Sequence, residues 1–177
     1  MKQIILTFLF STLFSSVAFA QATATLNVKL YPIQTIMIGG ENTINLEYKT
    51  KDNFKNGVSK KVDDHIEVYS TGGFEIKAKT NNANLVGTGE NSKFIESSDI
   101  ELLATNGSSS LDVGSMVKAQ LNGTTEVSLL TSSVGGVDKT FNVEYFAAGG
   151  DKYINHYVNS ENPTKYTTEV TYTIVAK

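Results

Sequence analysis

From Ala24 onward the apolar residues of this chain recur at every second position, and that period restricts it to strands. Ala24, Leu26, Val28 and Leu30 alternate with Thr25, Asn27 and Lys29, and Ile36 and Ile38 resume the even positions beyond Pro32. Pro32 has no N–H to give a ladder, so this long strand is broken, bulged or at an edge there. Ile44, Leu46 and Tyr48 form a second alternation, and Lys49 to Asp63 reads as a polar connection with a turn at Asn56-Gly57. Two hairpins are expected. One joins Ile66 and Val68 through Thr71-Gly72-Gly73 to Phe74, Ile76 and Ala78. The other joins Val117, Ala119 and Leu121 through Asn122-Gly123 to Val127 and Leu129. Phe141, Val143, Tyr145 and Ala147 give a further strand, and Tyr166 to Ala176 a last one with its apolar residues on even positions. Helix signals are confined to Glu96–Ala104, with Ser97 or Ser98 as cap. Roughly eight to ten short strands separated by Gly and Asn mean an all-β, antiparallel fold. Long irregular loops favour a β-sandwich of immunoglobulin-like type over a barrel.

The first residues are built differently. Lys2 is followed by an apolar block from Ile4 to Phe10, and Ala18 and Ala20 occupy the minus-three and minus-one positions of an A-x-A cleavage site. Polar interruptions at Thr7, Ser11, Thr12, Ser15 and Ser16 argue against a membrane anchor, which needs about 20 apolar residues. The expected organisation is a signal peptide at 1–20 and a single domain at 21–177. The expected destination is the periplasm, the cell surface or the medium.

Charge and composition narrow the function classes. All the basic residues are Lys, none is Arg, and the net charge of the whole chain is −3. Nucleic acid, which rewards a basic patch and bidentate Arg, is not an expected partner. Cys is absent, which leaves no disulfide and no thiol for a lipid anchor.

Chemistry-bearing constellations are sparse. His65 and His156 are the two imidazoles, and neither sits in a catalytic motif, so the chain is expected not to be an enzyme and to need no cofactor. On a regular strand Asp63, His65 and Glu67 would share one face, a possible cation site; the competing reading is a solvated strand face opposite Ile66 and Val68. Asp52-Asn53-Phe54-Lys55-Asn56-Gly57 has some oxygen ligands of a calcium loop, with Lys at a ligand position. Neither is taken as a metal site. Asn106-Gly107-Ser108 and Asn122-Gly123-Thr124 match the glycosylation pattern but read as turns. Tyr153 and Tyr157, in the long connection between Gly149 and Thr164, are candidates for stacking on sugar rings.

The segment from Ala22 to Leu30, the run from His65 to Ala78 and the closing Tyr166–Val175 strand resemble exported bacterial pilin-like subunits of Bacteroidetes type. The resemblance covers about a third of the chain, without the Cys pair of many pilins or the lipobox Cys of lipoprotein pilins. It implies a structural or adhesive subunit whose N-terminal extension fills the sheet edge of the next copy, with a periplasmic chaperone as a further partner. Ala24, Leu26, Val28 and Leu30 would be the plug residues. Burial of three aliphatic side chains would supply roughly 5 to 9 kcal/mol before association costs. Two alternatives stand beside this reading. Ala24–Leu30 would otherwise be the first strand of the chain's own sandwich, and the protein would otherwise be a monomeric module binding carbohydrate or cell wall through Tyr153 and Tyr157.

Overall fold

The computed structural model describes residues 20–88, 93–158 and 161–177. The signal-peptide assignment therefore lies, except for Ala20, outside the described residues. The chain divides into two units, residues 1–30 and 31–177. In the first unit, residues 20–30 carry no regular secondary structure.

The second unit is nearly all β. Its strands are β1 (Gln34–Ile38), β2 (Val58–Ser70), β3 (Phe74–Thr80), β4 (Asn84–Gly87), β5 (Phe94–Glu96), β6 (Ile100–Asn106), β7 (Ser115–Met116), β8 (Lys118–Gln120), β9 (Val127–Ser132), β10 (Gly136–Ala147), β11 (Tyr166–Thr167) and β12 (Val170–Ala176). A five-stranded sheet runs β1-β2-β10-β6-β8, a four-stranded sheet β12-β3-β9-β7, and a small sheet β11-β4-β5. Every pairing among the described strands is antiparallel. One apolar core draws on both large sheets, with Ile66, Leu102, Phe141 and Val143 from the first and Phe74, Ile76, Leu129 and Leu130 from the second. The expected all-β sandwich is the observed fold. No helix among the described residues is long and apolar enough to cross a membrane.

The connections depart from the expected hairpins. β2 lies in the five-stranded sheet and β3 in the four-stranded one, so Thr71-Gly72-Gly73 carries the chain across the sandwich. Asn122-Gly123 does the same between β8 and β9, leaving only an isolated bridge from Asn122 to Thr125. A Gly-containing turn reverses a chain whether or not the flanking strands pair, and here each strand finds its ladder with a distant segment. The last alternation is also divided. β11 pairs with β4, the chain steps over Thr168 and Glu169, and β12 pairs with β3.

Two further expectations are corrected. Glu96–Ala104 forms one 3-10 turn, Ser97–Asp99, and then enters β6, because Ile100, Leu102 and Ala104 alternate into the core. The helix is instead α1, Lys51–Asn56, inside the segment read as a polar connection. It is set by a reciprocal cap in which Thr50 Oγ1 accepts from the Asn53 N–H and the Asn53 side chain accepts from the Thr50 N–H. Six residues are too few to show a helical apolar period. Ile44, Leu46 and Tyr48 do pack on the core, but in a segment with no strand ladder.

Candidate functional site: two open edges and the polar chain between them

The edges of a sandwich are where its backbone remains available, so the register of each edge strand decides what it can offer. Along β12 the bonded pairs are fixed at both ends: Asn81 N donates to Glu169 O, and Lys177 N donates to Gly73 O at 3.0 Å. Bonded and non-bonded pairs alternate in an antiparallel ladder, so odd positions of β12 are bound to β3. The backbone groups of Val170, Tyr172, Ile174 and Ala176 consequently point to the open side. The same holds on β1, where Thr71 N donates to Ile33 O and Gly39 N to His65 O. Gln34, Ile36 and Ile38 turn their backbone groups away from β2.

These two edges belong to different sheets and run side by side, with Cα atoms coming within 8 Å. Strands in a ladder lie about 4.8 Å apart, and one more strand between two others requires roughly twice that. The seam between β1 and β12 is thus unzipped yet narrower than a full strand slot. Val170, Tyr172 and Ile174 on one side and Ile36 on the other direct their side chains onto the core, so the seam has an apolar floor.

A polar chain crosses beneath it. His65 is 3% exposed, its Nδ1 is 3.0 Å from Gly39 O, and its Nε2 is 2.8 Å from the Tyr145 hydroxyl. The Tyr145 hydroxyl in turn lies 2.6 Å from that of Tyr172. A carbonyl oxygen only accepts, so Nδ1 carries a proton. In the neutral imidazole Nε2 is then the acceptor, Tyr145 donates to His65, and Tyr172 donates to Tyr145. Burial lowers the His65 pKa from its ordinary value, opposed in part by the Gly39 carbonyl. Burial likewise raises Tyr145 to about 12 despite the hydrogen bond from Tyr172. Tyr172 is raised further, by burial and then by the neighbouring Tyr145.

The sequence placed His65 with Asp63 and Glu67; the structure separates them. Between Phe141↔Ile66 and Val143↔Val62 the ladder slips, so β2 spends four steps where β10 spends two. Asp64 takes φ of 48° within that bulge, and His65 and Ile66 both turn inward. Asp63 stays at the surface against Lys61, 2.7 Å away. The Asp64 carboxylate accepts from Ser108 N at 2.7 Å, a bond that leads the causes lowering its pKa. This also explains Gly107 in the Asn106-Gly107-Ser108 turn, since a Cβ there would sit 2.3 Å from Asp64 Oδ1. Among the described residues no three His, Asp or Glu side chains gather as metal ligands. Asp52, Asn53 and Asn56 lie on α1 rather than on a calcium-type loop.

Of the two proposed stacking residues, Tyr153 is buried and Tyr157 is exposed. The Tyr153 ring meets Tyr48 edge-on at 5.2 Å, and its hydroxyl donates to the buried Asp99 at 3.2 Å. Asp99 also takes Lys152, and Tyr48 donates to Ala148 O at 2.6 Å, so this set fastens the loop after β10 to the segment before α1 and to the 3-10 turn before β6. Burial, then the Asp99 charge, raises the Tyr153 pKa. The two tyrosines do not form a shared platform.

The candidate plug residues lie in the 20–30 segment. Leu26, Val28 and Leu30 are 88%, 78% and 89% exposed, and none of residues 20–30 takes part in a strand. No known protein-family model matches the chain, and a search of curated proteins returns no match.

Proposed function

We propose that this protein is a non-enzymatic, exported surface subunit that assembles by lending residues Ala24–Leu30 to the open edge of another copy. The carrying observation is the mismatch at the two ends of the chain. Among the described residues, a seven-residue alternating segment is left without a ladder, and a seven-residue strand, β12, has one side without a partner. The free N–H and C=O groups at Val170, Tyr172, Ile174 and Ala176 supply main-chain affinity, and the apolar floor of the seam takes alternate side chains. Leu26, Val28 and Leu30 fit that demand. A pilin-like, adhesive role at the cell surface follows from such head-to-tail addition, because each copy is both donor and acceptor and the contact does not close on itself.

Electrophoresis without boiling tests the proposal. The wild-type chain is expected to give an SDS-resistant ladder of multimers, and Leu26→Asp with Val28→Asp only monomer. A wild-type chain that runs as monomer at every concentration would remove the reading. The binding-module alternative retains only Tyr157 of its two residues as an exposed ring.

A further inference from the structure

We infer that His65 is a protonation-controlled latch that holds the seam between β1 and β12 shut and opens it for an incoming strand. The inference rests on the assembly reading for its consequence, not for its mechanism. The chain Gly39 O, His65, Tyr145 and Tyr172 begins at the residue that follows β1 and ends in the middle of β12. No backbone ladder joins these strands, so the side-chain relay spans the gap that a ladder would otherwise close. A partner strand needs more room than the present separation allows, and its entry therefore requires the relay to yield.

Protonation reverses the relay and unpairs its β12 end. With a proton on Nε2, His65 donates to the Tyr145 oxygen, Tyr145 donates to Tyr172, and the Tyr172 hydroxyl proton is left with no acceptor among the described residues, beside a buried imidazolium. The surroundings do not favour the cation. β1 and β12 contain no charged residue. On β10, Glu144 faces away from the side that bears Tyr145, while Asp138 and Lys139 lie beyond Phe141. On β2, Asp63 is paired with Lys61, and Asp64 is committed to Ser108. Glu67 alternates away from Ile66 and Val68, and Glu41 is held by Lys60. Tyr145 and Tyr172 are the titratable groups that face the ring, and both stay protonated in this range. The depressed pKa of His65 agrees with that geometry.

Sign and window follow by linkage. Above about pH 6.5 the imidazole is neutral whether the seam is open or closed, and the latch is at full strength. As pH falls from there toward the lowered value, the open form takes up a proton that the closed form refuses. The open fraction then rises by at most about tenfold per pH unit.

The test uses the full chain, amide hydrogen exchange corrected for intrinsic rates, and nitrogen NMR of the histidines. At pH 7.5 the His65 ring should be the Nδ1–H tautomer with Nε2 unprotonated. From pH 6.5 to 5.5 the amides of Val170, Tyr172 and Ile174, which face the seam, should lose about fivefold in protection, while those in the centre of β10 and β6 hold theirs. His65→Gln, which keeps an acceptor for Tyr145 but cannot titrate, should flatten that profile. A protonated Nε2 at neutral pH, equal loss at β12 and β10, or an unchanged profile in His65→Gln would each overturn the latch. If His65→Gln does not fold, the tautomer and the wild-type exchange profile still decide.

A labelled peptide of residues 21–31 then separates the latch from the assembly reading. Faster uptake at pH 5.5 than at 7.5 supports both. Seam opening with no uptake at either pH leaves the latch standing and sinks strand donation. Uptake that is equally fast at both pH values, with His65 titrating normally, sinks the latch alone.

Discussion

Residues 24–30 and residues 170–176 share one alternating pattern of apolar and polar residues, and they meet different fates. Val170, Tyr172 and Ile174 pack onto the core and their strand is laddered to β3. Leu26, Val28 and Leu30 stay in water without any ladder. Alternation confers the capacity to be a strand with one buried face; a partner edge decides whether that capacity is used. For β12 the edge is β3 in the same chain. For the N-terminal segment the proposed edge belongs to another copy, which on that proposal would cover the exposed Leu26 and Leu30.

The contrast is sharpest in stability. Phe141→Ala, in the core that β12 helps to cover, should cost about 3 to 5 kcal/mol in urea unfolding, against next to nothing for Leu26→Ala. Comparable losses at the two positions would mean that residues 24–30 belong to the chain's own fold. A smaller effect is expected for Tyr145→Phe, which strips the donor from His65 Nε2 and the acceptor from Tyr172; a loss of about 1 to 3 kcal/mol should appear in the same assay. Acid should act on the paired body alone. Stability is full above about pH 6.5 and declines below it, by at most about 1.4 kcal/mol per unit from His65, until the lowered pKa is reached. A urea midpoint that is flat from pH 7.5 to 5.5 would contradict that. The smallest effect belongs to Leu26→Asp, which should change the unfolding free energy of dilute protein by no more than about 0.5 kcal/mol while removing multimers.

How far the sequence could be read follows from the same contrast. The period of two, and with it the all-β sandwich, was legible because core-facing residues such as Phe74, Ile76 and Ala78 must alternate wherever a strand has one buried face. Partnership was not, since Asn122-Gly123 looks the same whether it closes a hairpin or crosses between sheets. His65 was hidden for a related reason. A bulge at Asp64 switches the parity of β2, and parity was the only basis for placing His65 on the outer face. The one signal in the sequence was the residue type at position 64, an Asp, which tolerates the positive φ it adopts there. The burial of Tyr153 was not legible because the long connection after β10 has no period at all, and that burial is set by Asp99 and Tyr48 far away in the chain. The open edges themselves could not be read from the sequence, because an edge is defined by which strand is missing beside it.

Hydrogen exchange on the full chain, taken at low and at high protein concentration, tests the donor-strand account most directly. The account predicts that amides of residues 24–30 exchange freely in dilute protein and become protected on concentration, together with Tyr172, Ile174 and Ala176 on the open side of β12. Residues 24–30 that exchange freely at every concentration, or that are already protected in a monomer, would contradict it.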